Sequence, residues 1–474
     1  MASVSTGEAA APVRDLSWVD AVAVVMGIVI GSGIFITPAL VAGNTTGLGT
    51  MLAAWLGGGI LCFCGALSYA ELATAYPHSG GEYVYLSRAY GKAVGFFFVW
   101  SRMTVIQTGS IAAAAYIFGR YANRLLPLGP SGPLLYALGA AVVLTGMNAV
   151  GLRAGKWTQN LLTVTKVLGI VAIILVGAFV SPSVPPVPVE EAQTTSTPAF
   201  GLAMVFVLYT FGGWSEAAYV AGEVRQAQAD MVRALVFSMF GLTALYVAIN
   251  LAYFHILGFE GMRASDAIAA DTVAATLGEP GSLAVSVLVA IAALGAVNGC
   301  IFTGGRAVWA LGGDFRLFKS LARWNPRRNT PSNAILAQGV IVVVLILLPG
   351  LGPGFRAALG SGFEAAVEYT APVFWTFLLL TSVAVFILRV KDRVIQRPFH
   401  VPLYPLTVVL FSLMCAYMLY SSVAYTGAGA LVGLGVLAAG VPFYLFCGSP
   451  RVAEREEPKE PSVLGPNTGP HQER

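Results

Sequence analysis

The sequence predicts an all-α polytopic membrane protein with about twelve transmembrane helices, the first and the sixth of them broken. Three observations carry that prediction: the composition, the regular spacing of long apolar stretches, and glycine clusters in the middle of two of them. Of the 474 residues, 57% are hydrophobic and 11% charged, about half the charged share of a soluble globular domain. Mean hydropathy is +0.75. An ordinary cytosolic enzyme is therefore excluded, and so is a disordered chain, which needs low hydrophobicity. A net charge of +4 over this length leaves no basic footprint, so no nucleic-acid partner is expected. The partner that suits such a surface is the lipid bilayer.

Apolar stretches fall at about 17–43, 50–76, 93–121, 132–150, 157–181, 199–222, 231–257, 283–312, 333–350, 363–388, 401–424 and 427–447, each close to the length that crosses the hydrocarbon layer. Residues 1–16 read as a short cytoplasmic segment without the basic start and apolar core of a signal peptide. Residues 17–181 hold the first five helices, 182–198 a Pro-rich extracellular loop, 199–388 the second five, 389–447 two more, and 448–474 a polar, Pro-rich tail of disordered composition. With the N-terminus inside, twenty of the 27 Lys and Arg fall on inside segments. Four (Arg120, Arg124, Arg263, Arg356) fall outside, and three (Arg102, Lys166, Arg306) fall within spans. Cytoplasmic loops carry the excess of cations, so both termini are expected in the cytoplasm and the chain in a plasma or inner cell membrane.

The five cysteines, Cys62, Cys64, Cys300, Cys415 and Cys447, all lie within or at the end of apolar stretches, where a thiol behaves as a small hydrophobe. The four histidines are scattered at positions 78, 255, 400 and 471. Neither a metal site nor a cofactor is expected.

The first span, VDAVAVVMGIVIGSGIFITPALVAG, holds Gly31-Ser32-Gly33 in its middle and Pro38 beyond. Two glycines within three residues weaken the helical hydrogen-bond ladder. A break there frees the amides of Ser32, Gly33 and Ile34, and such a half-helix start suits a carboxylate. The sixth span, GLAMVFVLYTFGGWSEAAYVAGEV, holds Gly212-Gly213. A break there frees carbonyls near Tyr209 and Thr210, which suit an ammonium group. Matched breaks in spans one and six fit two five-helix inverted repeats around a midplane site. A carboxylate cradle facing an ammonium cradle describes a receptor for an α-amino acid. Helix packing alone also uses glycines, and Gly27 and Gly31 form a small-xxx-small pair; the matched positions favour the site.

The string GIVIGSGIFITP (27–38) resembles the first-helix motif of the amino acid–polyamine–organocation superfamily, closest to the L-type amino acid transporters. GALSYAELATAYPHSGGEYVYLSRAYG (65–91) is similar to that family's second helix and following loop, TQNLLTVTKVLGI (158–170) to helix five, and YTFGGWSEAAYVAGEV (209–224) to helix six. VNGCIFTGGRAVWALGGD (297–314) is similar to helix eight and RPFHVPLYPL (397–406) to the entry of helix eleven. The resemblance implies the leucine-transporter fold, 5+5 inverted repeats plus two extra helices. It implies a substrate site made by Ile28, Val29, Gly31, Ser32, Gly33 and Ile34 in helix one. Tyr209, Thr210, Phe211, Gly212, Gly213 and Ser215 in helix six would complete it, with Trp375 from helix ten. Tyr209 would be the aromatic gate of alternating access. Animal members bond an accessory glycoprotein through a cysteine in the loop after helix three. Residues 122–132 contain none, so no disulfide-linked subunit is expected.

Lys166 lies nine residues after Trp157, roughly 14 Å into the helix. A lysine so deep costs about 2.5–3.5 kcal/mol on insertion scales, so it needs a partner or a task. Sodium-independent family members have a similar lysine where sodium-coupled relatives bind the ion, which implies that Lys166 substitutes for sodium and bridges the broken first helix to the bundle. Proton carriage is the other task open to it. Glu216 and Arg102 both depart from the neutral-amino-acid members; they either pair with each other or leave Glu216 to favour a cationic or polar substrate. Arg306 and Glu223 read as a gate or packing pair, and Asn298 as a residue that bonds across helices. Glu71 and Glu82 are expected to meet cations on the inner side.

These readings point to a sodium-independent secondary amino acid transporter, an exchanger or a proton symporter. An amine or polyamine transporter is the nearest rival, although it needs no carboxylate cradle at Ser32 and Gly33. A membrane enzyme would need a catalytic constellation, and the chain has no HExxH, GxxxxGK[ST] or GxSxG motif. A sensor would carry a soluble output domain, for which no segment is long enough.

Overall fold

The computed structural model describes residues 14–180, 200–265, 267–347, 363–426 and 428–447. The extracellular loop expected at 182–198, the tail at 448–474 and most of the N-terminal segment lie outside these residues.

Fifteen α-helices follow one another, and no strand interrupts them among the described residues. They are α1 (Trp18–Val29), α2 (Thr37–Gly43), α3 (Leu48–Ala75), α4 (Glu82–Tyr90), α5 (Lys92–Ser101), α6 (Gln107–Leu125), α7 (Gly132–Val150), α8 (Leu152–Phe179), α9 (Phe200–Thr210), α10 (Ala227–Ala264), α11 (Ile268–Asp314), α12 (Ser332–Leu347), α13 (Phe363–Lys391), α14 (Leu406–Thr426) and α15 (Ala428–Phe446). Among the described residues seven helices are long and apolar enough to cross a membrane, and Trp18–Val29, Ser332–Leu347 and Gly435–Phe446 are shorter apolar helices. This is a multi-pass membrane protein. Its outer helices expose large apolar side chains such as Phe179 (82%) and Phe240 (73%), which a soluble protein would bury and which lipid solvates.

Every expected apolar stretch contains a helix, and the helices add detail. The third stretch is α5 and α6 joined by one π-helical turn, Arg102–Ile106. The seventh and eighth extend beyond their expected ends and turn at Gly258 and Gly278, whose φ angles are 69° and 68°. The loop after the second stretch folds into α4, a short amphipathic helix.

α1 opens with a capping box: the Ser17 hydroxyl accepts from the Asp20 amide, and the Asp20 carboxylate accepts from the Ser17 amide, which satisfies otherwise orphaned donors. α11 packs against α6, α8 and α12; α10 packs against α1, α3 and α8. Asn298 ties three helices, accepting from Asn148 Nδ2 (2.8 Å) and donating to Gln159 Oε1 (2.8 Å).

One end of the bundle, where α1 begins and α3, α11 and α13 finish, is closed by polar contacts. Leu16 bridges Val224 as a single parallel pair, through Leu16 N to Glu223 O and Arg225 N to Leu16 O, both 2.9 Å. Arg306 forks onto Glu223 with bonds of 2.5 and 2.7 Å. Glu71 meets Arg389 at 2.5 Å and Arg397 at 3.6 Å.

Candidate functional site

Both glycine clusters interrupt their helices. α1 ends at Val29, a single 3-10 turn covers Gly33–Phe35, and α2 resumes at Thr37. The amides of Phe35 and Ile36 close turns onto Ser32 and Gly33, while those of Ser32, Gly33 and Ile34 donate to no backbone carbonyl among the described residues. α9 ends at Thr210, and 3-10 turns cover Trp214–Tyr219 and Ala221–Glu223. Gly213 sits at φ +107°, and a Cβ there would come within 2.7 Å of Ile28 Cγ2. Only glycine permits that backbone and that approach of the second interruption to the first.

Two further contacts join the breaks. Thr37 Oγ1 and Thr210 Oγ1 are 2.7 Å apart. The Tyr246 hydroxyl, from α10, reaches the carbonyls of Val29 (3.1 Å) and Thr210 (3.4 Å).

Between the breaks lies a cavity of about 190 Å³. Ile28, Val29, Gly31, Ser32 and Gly33 line one side, and Leu208, Tyr209, Thr210, Gly212, Gly213 and Glu216 another. α6 contributes Gln107, Ser110, Ala113, Ala114 and Ile117, with Ile106 of the π turn beside them. α11 contributes Ala293, Ala296 and Cys300, and α13 Thr370, Ala371, Phe374 and Trp375. Positive potential gathers at the free amides of Ser32–Ile34. The carbonyls of Ile28 and Gly212 accept no backbone hydrogen bond among the described residues. The Tyr209 carbonyl, expected to be free, is engaged by the Gly212 amide (3.0 Å), and the Val29 carbonyl by the Gly31 amide (2.8 Å).

Most sequence-expected site residues thus meet at one cavity. Three do not line it. Ile34 is fully buried, with only its amide at the break. Phe211 turns away and packs on Trp55 and Tyr246, with centroids 6.1 and 5.0 Å apart. Ser215 faces a smaller void beside Cys62, Trp214 and Met414.

Lys166 is fully buried outside the cavity. Its ammonium donates to the carbonyls of Gly27 and Ile30, the latter at 2.9 Å. These carbonyls belong to the C-terminal end of the first half-helix, where a cation is favoured. The approach is close enough that a Cβ on Gly295 would fall 2.5 Å from Nζ. Glu216 and Arg102 pair: Arg102 Nη2 donates to both Glu216 oxygens, at 2.5 and 2.7 Å, and Thr303 Oγ1 adds a bond to Glu216.

Sequence reasoning missed the walls from α6 and α11. Gln107, Ser110, Ala114 and Ile117 recur at three- and four-residue steps, as do Ala293, Ala296 and Cys300. That marks one face of each helix, but it does not say which face meets the cavity.

Residues 16–439 match the family model described as amino acid permease. This chain belongs to the amino acid permease family. The b(0,+)-type amino acid transporter 1 of Mus musculus is 31% identical over 413 residues, covering 84% of this chain and 81% of the relative. The cystine/glutamate transporter of Homo sapiens is 29% identical, covering 91% and 85%. A serine/threonine exchanger of Bacillus subtilis is 28% identical, covering 91% and 96%. These relatives bear out the resemblance to L-type members of the amino acid–polyamine–organocation superfamily. The permease is an amino acid transporter, and the relatives it matches are transporters rather than enzymes.

Proposed function

We propose that this permease is a sodium-independent L-amino acid exchanger that works by alternating access. Its substrate lies between the two interrupted helices. The free amides of Ser32, Gly33 and Ile34 hold its carboxylate, and the carbonyls of Ile28 and Gly212 receive its ammonium group. The observation that carries this reading is a cavity bounded by both interruptions. Tyr209, on its wall, is the gate, and Trp375 flanks the substrate side chain. Lys166 stands in for a sodium ion, as its bonds to Gly27 and Ile30 support: a fixed ammonium satisfies carbonyls that would otherwise ask for a mobile cation. In this reading the chain has twelve spans, two inverted five-helix repeats plus two helices, cytoplasmic termini, and no disulfide-linked accessory subunit. The closed end of the bundle is then cytoplasmic.

A second reading, proton-coupled uptake, is favoured by two buried carboxylates, Glu216 at 2.5 Å and Glu82 at 4.0 Å, around the one guanidinium of Arg102. Reconstitution separates the two. Labelled amino acid is offered to sodium-free proteoliposomes, empty or preloaded with unlabelled amino acid, with and without an inward acid gradient. Exchange requires uptake into preloaded vesicles only. Uptake into empty vesicles driven by acid supports the proton reading. Uptake of amines in place of amino acids would reject both.

A further inference from the structure

Three ionisable side chains meet in an enclosed space beside the cavity: Arg102 from the π turn, Glu216 from the second interruption and Glu82 at the start of α4. Their side chains are 4%, 8% and 5% exposed. Two carboxylates against one guanidinium leave one negative charge in excess when all three are ionised. An uncompensated charge in so dry a place is costly unless it is paired or neutralised.

The guanidinium is not shared evenly. Arg102 Nη2 holds both oxygens of Glu216, whereas Nη1 approaches Glu82 only to 4.0 Å, beyond hydrogen-bond reach. Glu82 is caged by hydroxyls. Tyr69, from α3, donates to one of its oxygens, and Tyr219, from the second interruption, donates to the other at 2.5 Å. A phenol can donate or accept, so this cage serves a carboxylate and a carboxylic acid alike once one hydroxyl rotates. Desolvation holds the Glu82 carboxyl above the usual carboxylate range, against the pull of Arg102 and the two hydroxyls. Among the described residues the remaining neighbours supply no second cation: Thr303 bonds Glu216, the Tyr85 hydroxyl is buried without a partner there, and Arg306 is committed to Glu223.

We infer that Glu82 is a proton-binding site of this permease, and that its protonation is coupled to the second helix interruption through Tyr219 and Arg102. The inference rests on the transporter reading and names the ion behind its proton-coupled form. The step is simple: a proton from water adds to a Glu82 oxygen, and no other covalent bond changes. Glu216 and Tyr219 are three residues apart in one 3-10 helix, whose side chains eclipse at that spacing. Arg102 therefore pairs with the first while its guanidinium lies 4.1 Å over the ring of the second. Glu216 also lines the cavity. An event in the cavity that loosens Glu216 frees Arg102 for Glu82, which then releases its proton; binding a proton at Glu82 returns Arg102 to Glu216.

The test uses the full chain in sodium-free proteoliposomes with labelled serine, leucine and arginine as probes and a pH-sensitive dye inside. Counterflow into preloaded vesicles establishes transport. The expected wild-type result is acceleration of uptake by an inward acid gradient, up to about tenfold per pH unit above the pKa of Glu82 and levelling off below it, with acidification of the interior as amino acid enters. Glu82→Gln, which mimics the protonated carboxyl, keeps counterflow and loses both responses. Tyr219→Phe removes a donor to the carboxylate, so the response persists but moves to higher pH. Wild-type counterflow without any acid response overturns the inference while leaving the exchanger intact. A full acid response in Glu82→Gln, or an unmoved pH profile in Tyr219→Phe, also overturns it. Absence of counterflow and of gradient-driven uptake in wild type rejects the transporter reading itself.

Discussion

The ammonium of Lys166 lies 2.9 Å from the Ile30 carbonyl, and it also bonds the carbonyl of Gly27. One side chain of α8 therefore terminates the first half-helix of a different element. Lys166→Ala removes the cation and leaves those carbonyls facing a void. Turnover is expected to collapse by at least about tenfold with a smaller loss of affinity, since the half-helix end must be held in one place for gating to be ordered. Initial-rate counterflow against substrate concentration measures both; unchanged kinetics would reduce the lysine to a packing residue.

Ser32→Leu fills the mouth of the amide cradle. Binding is expected to vanish while the protein still folds, because Ser32 lines the cavity and makes no capping bond. Scintillation proximity binding reads this directly, and normal uptake by the variant would refute the cradle.

Gly213→Ala should damage both fold and function. The new Cβ meets Ile28 at 2.7 Å and the backbone stays at φ +107°, a conformation that costs about 1–3 kcal/mol for a residue with a side chain. Thermal unfolding in detergent is expected to shift down by several degrees. A variant as stable as wild type would mean that the two interruptions separate more readily than their contact suggests.

Arg306 and Glu223 form a fully buried pair. Arg306→Met strands a carboxylate and is expected to cost about 3–5 kcal/mol, whereas adding Glu223→Leu should recover much of it. If the double variant is no better than the single, the pair contributes through shape and not through charge.

A weaker pH effect is expected at the closed end. Burial tends to raise the Asp392 carboxyl, but bonds from Arg88 and Tyr76 outweigh it and hold the carboxyl below its usual 3.8. A depressed acid stabilises the fold above its unfolded value and loses that contribution as pH falls through the folded value. Acidification below about pH 4 should therefore loosen this contact. Tyr76, pushed up to about 12 by burial first and Asp392 next, stays protonated throughout. Asp392→Asn should flatten the acid limb of a thermal-shift profile.

Both interruptions were legible because glycine acts locally: Gly31-Ser32-Gly33 and Gly212-Gly213 weaken a helix whatever surrounds them. A deep lysine and an unmatched Arg102 and Glu216 were legible too, since a charge in an apolar span must find a partner. The partners themselves were harder to read. Nothing in a single span shows that Lys166 will reach Gly27 and Ile30, or that Tyr246 will touch both breaks, because those contacts depend on how α8 and α10 pack against α1. Phe211 shows the converse: it sits inside the motif, yet one step of backbone turn sends its ring to Trp55. The π turn at Arg102–Ile106 has no local signature, and Arg102, which pairs with Glu216, stands at its start.

Tyr246 stands on a helix that is continuous at this level, and its one hydroxyl touches a carbonyl at each break. A hydroxyl has a single hydrogen, so it cannot serve Val29 and Thr210 at full strength together. The two breaks therefore divide one hydrogen between them through an intact helix, in addition to the direct contact of Thr37 Oγ1 with Thr210 Oγ1 at 2.7 Å, so Tyr246→Phe removes a tie that both share.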